Sequence, residues 1–574
     1  MRVSSMILTA WTSNEQLGNR VINWQKMIVA RCHCTDRQME QDFLCKTYSG
    51  WIAGIPDRPQ FLPSRAEIPI IDHVYCPRME RSLKTDIFIA LMVFLGLSPA
   101  TLRGQTTIAA ASSQKTIEQH IELVASCLPP QVIVKNEPKT CPTLPQRMTE
   151  LHIPGVSIAV IHDGKIEWAK GYGVLQTGGA PVNSDTLFQA GSISKPVAAI
   201  GTLRLVQEGK LLLDVDINKG LTSWKLPPST ATPGATATLR ELLTHSAGLT
   251  VHGFPGYAAG APVPTLIQVL DGEAPANSAP IRMDSIPGKD WRYSGGGYTV
   301  MQQLVIDTVK EPFPQFLHDT VLVPIGMSHS TYQQPLPESL LSIAARPYNG
   351  DGTAVPGGPH TYPEMAAAGL WTTPSDLCRY IIEVQNSLNG KANHVLSQSM
   401  TQQMLTPGVG NWGLGLQLGG SSADPWFSHG GSNAGYESLF VGYDRQGDGA
   451  AVMTNAQGGS QLAGEVMRAI ATTYNWPDWR PTERTEVKAD PAVLARYVGT
   501  YELAPSFSIT FTLEGGQLMT QATGQPKFPI YPESPTKFFL KVVDAEVEFF
   551  SDDKKQVSYI ILHQGGQEHK GVRK

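Results

Sequence analysis

A chain of 574 residues with 41% hydrophobic content exceeds one ordinary domain and can bury a large core. Its 45 lysines and arginines against 50 aspartates and glutamates leave a formal charge of -5, which gives no electrostatic reason to expect a nucleic-acid partner. No Gly-x-Gly-x-x-Gly opens a βαβ unit, and neither a Gly-x-Ser-x-Gly elbow nor a His-Glu-x-x-His pair occurs. Dinucleotide enzymes, α/β-hydrolases and zincins therefore have no support.

The first 78 residues show no clear periodicity. Cys32, His33, Cys34, Cys45, His73 and Cys76 include zinc-type ligands, but their spacing fits no standard knuckle. Met79 opens a second plausible start: a short basic segment to Lys84, an apolar run over 87–97, then small residues Ser98 and Ala100. That is the layout of a secretory signal, and the run is short for a membrane span. The expectation is a non-native or disordered extension over 1–78, a signal peptide over 79–111, and a periplasmic or secreted mature protein without a stable membrane span. An uncleaved anchor is the alternative. A helix-like stretch over 116–127 and a proline-rich lead-in over 129–145 follow. Cys127 and Cys141 can pair in an oxidising compartment, leaving Cys378 free on a helix face.

Strand-like segments 156–162 and 165–172 flank Asp163-Gly164, a strong hairpin signal. Next comes Ser192-Ile-Ser-Lys195, ahead of apolar residues at helical spacing over 197–208 and a stop at Gly209. Positions i and i+3 share a helix face, so the Lys195 ammonium can fold back on the Ser192 hydroxyl. Serine needs an adjacent base to act as a nucleophile. Lysine can serve when neutral, a state that burial and the positive end of a helix favour. The same spacing at Ser112/Lys115, Ser534/Lys537 and Ser551/Lys554 lacks this context. His245 and Ser246 fall in a helix-ending loop and read as structural. Two further motifs follow in the order this chemistry needs. Tyr293 precedes a turn of Gly295, Gly296 and Gly297 and a helix over 299–308, and His429-Gly430-Gly431-Ser432 precedes paired strands over 437–443 and 449–455.

The ordered set resembles the β-lactamase-related serine hydrolases: class C β-lactamases, D-alanyl-D-alanine carboxypeptidases, D-aminopeptidases and family VIII carboxylesterases. The resemblance spans 148–476 and includes segments 241–249 and 369–376. It implies an α+β fold over 112–476, with an antiparallel sheet flanked by helices and an all-helical region. It implies Ser192 as the acyl-forming nucleophile, Lys195 as its activating partner, and Tyr293 as the group that passes protons to the leaving group and later activates water. His429, Gly430 and Gly431 match the third motif on a strand lining the site, and the Ser192 and Ser432 amides would form the oxyanion hole. Gly295 stands where many relatives carry Asn, so an amide contact is missing from the substrate-binding set. His429 stands where β-lactamases carry Lys; it titrates near neutrality and need not be cationic. No cofactor or metal is implied.

Residues 477–490 read as a linker. Beyond it, β-type runs at 508–513, 517–520, 537–542, 547–550 and 558–562 suggest a small antiparallel barrel over 491–574, similar to lipocalin-like modules appended to relatives. The expected function is a secreted serine hydrolase acting through an acyl-enzyme on small esters or β-lactams, with Gly295 favouring esters. A D-amino-acid-specific peptidase and a penicillin-binding sensor with slow deacylation are the alternatives. The expected partner is a small-molecule substrate.

Overall fold

The hairpin around Asp163-Gly164 begins the central sheet. Both turn residues have positive φ (52° and 71°), as a two-residue turn of the I′ class requires. They join β1 (Gly155–His162) to β2 (Lys165–Gly173), with His162 opposite Lys165. In the computed structural model, residues 114–574 are described apart from 136, 139, 140, 392, 446, 554, 555 and 566, together with strands Val29–Arg31 and Lys46–Tyr48. The chain divides into two units, Met1–Ile108 and Ala109–Lys574. In the first, the two short strands pair antiparallel. The zinc-type residues and the signal segment lie outside the described residues.

In the second unit β1 and β2 join β3 (Gln417–Gly420), β4 (Pro425–Asn433), β5 (Tyr436–Tyr443) and β6 (Gly449–Thr454). The order is β2-β1-β6-β5-β4-β3, antiparallel throughout. Strand periodicity splits the side chains between two cores. Val156, Ile158, Val160, Ala450 and Val452 pack with α4 (Gly459–Thr473), whereas Ala159, Ile161, Ala451 and Met453 pack with α3 (Pro374–Leu388). Two covered faces explain why β6 is buried along its whole length.

The α3 side continues into a helical region built on α1 (Ser194–Gln207) and α2 (Gly295–Val309). Residues 194–203 of α1 are all buried, as suits a helix enclosed on every side. The glycine run is not a turn before a helix at 299; it is the first turn of α2. Ser294 caps it, its Oγ accepting from the Gly297 N–H at 3.0 Å. Glycine is required there by close approach. A Cβ on Gly296 would lie 2.8 Å from the Thr250 carbonyl, and the Gly295 and Gly296 amides donate to His252 and Val251 at 3.0 Å each.

Cys127 and Cys141 form a disulfide. Cys378 is free and buried on α3, with its Sγ 3.5 Å from the Ala159 carbonyl of β1. The segment read as a linker is partly ordered into structure: Thr482–Arg484 pairs in parallel with Val132–Val134, whose valines pack on Phe539. Arg484 also reaches Glu533, Asp544 and Glu546 at 2.8–3.1 Å.

The C-terminal strands are β7 (Gly499–Ala504), β8 (Phe507–Glu514), β9 (Gln517–Ala522), β10 (Lys527–Pro529), β11 (Tyr531–Pro532), β12 (Lys537–Phe539), β13 (Ala545–Ser551), β14 (Val557–Gln564) and β15 (Gln567–Arg573). They are ordered β10-β9-β8-β7-β15-β14-β13-β12-β11. The last strand seals onto the first, and the two edges are separated in sequence only by Ile530. The sheet therefore curls into a nearly closed antiparallel barrel. Its interior is filled by Tyr497, Tyr501, Phe511, Phe538 and Phe549. Among the described residues no helix is long and apolar enough to cross a membrane.

Candidate active site

Ser192 lies in a single 3-10 turn, Gly191–Ile193, that runs directly into α1. Two glycines let this turn press against β4. Gly191 has φ 52°, and a Cβ there would sit 2.5 Å from the Ser432 nitrogen; a Cβ on Gly431 would overlap the Ala190 carbonyl. The contact brings the Ser192 and Ser432 backbones to one corner of a cavity of about 590 Å³, which both residues line.

Lys195 occupies the first turn of α1 and is almost completely enclosed. Its Nζ donates to Ser192 Oγ at 3.0 Å and to the Ala367 carbonyl at 2.8 Å. Among the described residues no carboxylate pairs with it, so burial is uncompensated and pushes its pKa from 10.5 down to about 7. Lysine is thus poised between its two protonation states beside the serine. Tyr293, at the entry to α2, lies beside the Ser192 side chain, and its ring is 5.0 Å from Lys195 Nζ. Burial holds the phenol well above its ordinary pKa, with the Ser192 contact pulling the other way, so it stays protonated at neutral pH.

His429, Gly430, Gly431 and Ser432 all line the cavity from β4. The His429 ring is set by one bond. Nδ1 is 2.6 Å from the Gly430 carbonyl, so Nδ1 carries the proton and Nε2 is a bare acceptor. Nε2 is buried and has no partner among the described residues. Burial first, then the neighbouring Lys195 charge, lowers the His429 pKa to about 3. This corrects the sequence expectation of a group titrating near neutrality: the imidazole is uncharged at neutral pH.

Gly295 is displaced from its expected role. It does not line the cavity, because the segment from His252 to Phe254 lies over it; a Cβ there would meet the His252 carbonyl at 3.0 Å and the Phe254 ring at 3.1 Å. His252 and Phe254 themselves face the cavity. His245, read from sequence as merely structural, stacks on Tyr293 at 4.2 Å. Its Nδ1 accepts the Ser294 N–H at 3.1 Å, and burial keeps it neutral.

A family model described as Beta-lactamase matches residues 143–474, more than half of the chain and the whole of the site. The chain belongs to the Beta-lactamase family. It is a serine hydrolase of the β-lactamase-related group. A second model, a domain of unknown function (DUF3471), matches 483–572, the barrel. Among curated relatives, Penicillin-binding protein 4* of Bacillus subtilis is 23% identical over 76% of this chain and 99% of its own length. Penicillin-binding protein 4 of Amycolatopsis lactamdurans is 26% identical over 62% of this chain and 94% of its own. Among solved structures, the octameric penicillin-binding protein homologue from Pyrococcus abyssi superimposes with a TM-score of 0.51 at 22% identity, covering 75% of this chain and 98% of that one.

Within this Beta-lactamase-family site, sequence reasoning passed over Trp412 and Asn433. Trp412 stands at the centre of the cavity's aromatic wall, with ring centroids 5.4 Å from Trp291, 6.0 Å from Tyr293 and 5.5 Å from His429. An isolated indole among Gly410, Gly413 and Gly415 was the available signal. Asn433 is the residue after the third motif. Its Nδ2 donates to Gln189 Oε1 at 2.8 Å and the Ala368 carbonyl at 3.0 Å.

Proposed function

We propose that the chain hydrolyses small carboxylic esters through an acyl-enzyme on Ser192. The observation that carries this reading is the Lys195 ammonium 3.0 Å from Ser192 Oγ, buried with no carboxylate partner among the described residues and brought close to neutral by that burial. Neutral Lys195 takes the hydroxyl proton as Ser192 Oγ attacks the acyl carbon. The Ser192 and Ser432 amides hold the carbonyl oxygen as it becomes anionic. Tyr293, a protonated phenol, gives its proton to the departing alkoxide and is resupplied from Lys195. In deacylation the same pair takes a proton from water as the water oxygen attacks the acyl carbon, the bond to Ser192 Oγ breaks with return of that proton to Oγ, and the carboxylic acid leaves. The disulfide between Cys127 and Cys141 supports an oxidising, exported location.

The names of the relatives favour a second reading, a penicillin-recognising protein that acylates and deacylates slowly. Burst kinetics separates the two. Steady turnover of nitrophenyl butyrate, with an acyl mass on Ser192 in quenched samples, supports the first reading. One stoichiometric burst with a chromogenic β-lactam, and no ester turnover, overturns it in favour of the second.

A further inference from the structure

Lys195 Nζ has two acceptors, Ser192 Oγ and the Ala367 carbonyl, so the position of that carbonyl helps to set where the amine stands against the serine. Ala367 belongs to segment 360–370, which is mostly buried and holds a single helical turn of its own, Met365–Ala368. Buried irregular backbone must find its hydrogen bonds outside a helix or sheet ladder. Here side chains from several elements supply them.

From α1, Ser194 Oγ accepts the Leu370 N–H at 2.9 Å. From α2, Gln302 makes two bonds: Nε2 donates to the Pro363 carbonyl at 3.0 Å, and Oε1 accepts the Ala366 N–H at 2.9 Å. From β4, Asn433 donates to the Ala368 carbonyl and to Gln189, whose own Nε2 donates to the His360 carbonyl at 2.7 Å. Gln334 ties the ends together, accepting the Tyr362 N–H at 3.1 Å and donating to the Gly369 carbonyl at 2.7 Å. The elements that carry the Ser192, Tyr293 and His429 motifs thus each send a side chain to one segment. That segment in turn hands an acceptor to Lys195. Gln302 is the informative member, because it is buried and does not line the cavity. Any effect it has on the chemistry must pass through the segment it holds.

We propose that segment 360–370 is the positioning element of Lys195 and that Gln302 is its clamp: by fixing residues 363–366 to α2 it fixes the Ala367 carbonyl, and through it the amine, against Ser192 Oγ. The inference rests on the acyl-enzyme reading and extends it to a residue outside the cavity.

Gln302→Met keeps the side-chain volume and removes both bonds. Its kcat/KM for nitrophenyl butyrate is expected to fall about ten- to a hundredfold, the scale of a small misplacement of reacting groups. In the Lys195→Ala background the same substitution is expected to cost less than about twofold, since a residue acting through Lys195 then has nothing to position. An equal loss in both backgrounds, or wild-type kcat/KM in folded Gln302→Met, overturns the proposal.

The pH profile supplies a readout that a general packing defect would not move. The Ala367 carbonyl favours the ammonium form, so loosening it should carry the acid limb of kcat/KM below about 7. Tyr293 and Tyr298 face Lys195 with their rings 5.0 and 5.7 Å from Nζ, and burial keeps both protonated. His245 and His429 also feel its charge, and burial keeps both neutral. Burial pushes Glu364, on the segment itself, up to about 7, so the profiles are compared in a Glu364→Gln background. A lower rate with an unmoved limb overturns the proposal. Where Gln302→Met does not fold, Gln334→Met loosens the ends of the same segment and carries the same cycle and profile. The acyl mass on Ser192 separates the two readings. Its absence in wild type defeats the acyl-enzyme, whereas its presence with equal losses in both backgrounds defeats only the clamp.

Discussion

Two of the aromatic clusters among the described residues, one in the barrel and one around Ser192, treat their polar atoms in opposite ways. In the barrel, Tyr497 stacks on Phe549 at 4.1 Å, and Tyr501 meets Phe511 and Phe549 edge-on at 5.6 and 5.8 Å. Both tyrosine hydroxyls donate to carbonyls, Tyr497 to Pro535 at 2.6 Å and Tyr501 to Tyr497 at 3.1 Å. Around Ser192 the rings of Tyr293, His245, Trp412 and His429 pack at similar distances. There, however, Trp412 Nε1, His245 Nε2 and His429 Nε2 are buried without partners among the described residues. Each such atom forgoes about 1–3 kcal/mol of stabilisation. The barrel cluster is arranged for packing alone. The cluster around Ser192 leaves polar groups uncommitted, as expected of a site and not of a core of the same composition.

The contrast can be broken most forcefully at Ser192. Ser192→Ala is expected to lower turnover by on the order of 10⁴-fold or more while leaving the thermal midpoint near wild type. Loss of the fold along with activity would make the serine part of a core after all. Lys195→Ala and Tyr293→Phe should each slow acylation by about 10²- to 10⁴-fold. The double mutant should fall well short of the product of the two, as the proposed single proton path requires. Fully multiplicative losses would assign them separate tasks.

The barrel supplies the converse. Phe549→Ala removes the ring at the centre of that cluster and should cost about 3–5 kcal/mol of unfolding free energy in the barrel. Ester kcat/KM measured well below the transition should not change. A catalytic effect there would mean that the two clusters communicate.

Titration sharpens the comparison further. With Lys195 held at about 7, acylation should rise about tenfold per pH unit below that value and level off above it. Stability has the matching sign. The unfolded chain binds more protons between about 7 and the ordinary 10.5, so unfolding free energy climbs with pH across that window and is lost as pH falls through 7. Lys195→Met should flatten both profiles; a retained rate limb near 7 would belong to another group.

The smallest effect is expected at Gly295→Asn. The new side chain would press on His252 and Phe254 rather than reach the cavity, and φ there is not positive. A rise in KM of a few fold and a loss of about 1–3 kcal/mol are expected, without a switch toward amide substrates. A clear gain for amides in a folded variant would show that the asparagine does reach the acyl group.

Which parts were legible in the sequence follows the same division. Ser192 and Lys195 could be paired because helix spacing alone puts them on one face. Tyr293 and the His429 segment followed from motif order. The charge on His429 could not be read, since it depends on enclosure by residues 100 or more positions away, Lys195 and Tyr293 among them. Gly295 was misplaced for a related reason: only the path of residues 250–254 shows that the glycine run is a helix start beneath the cavity wall. In the barrel, runs such as 508–513 announced themselves by alternation. The strand Gln567–Arg573 did not, because most of its side chains face solvent and its place is fixed by hydrogen bonds to β14 and β7.

Cys378, shut between α3 and β1 with burial holding its thiol well above the ordinary pKa, makes the catalytic half its own timekeeper. An alkylating reagent cannot reach that sulfur, nor find it as thiolate, until the helix lifts from the sheet. When closing outruns alkylation, the labelling rate at this position, read by peptide mapping, measures the equilibrium fraction of open molecules; when alkylation wins, it counts individual openings. The same wild-type sample, followed with and without an acylated Ser192, would therefore record how much a bound acyl group slows the breathing of the domain that holds it.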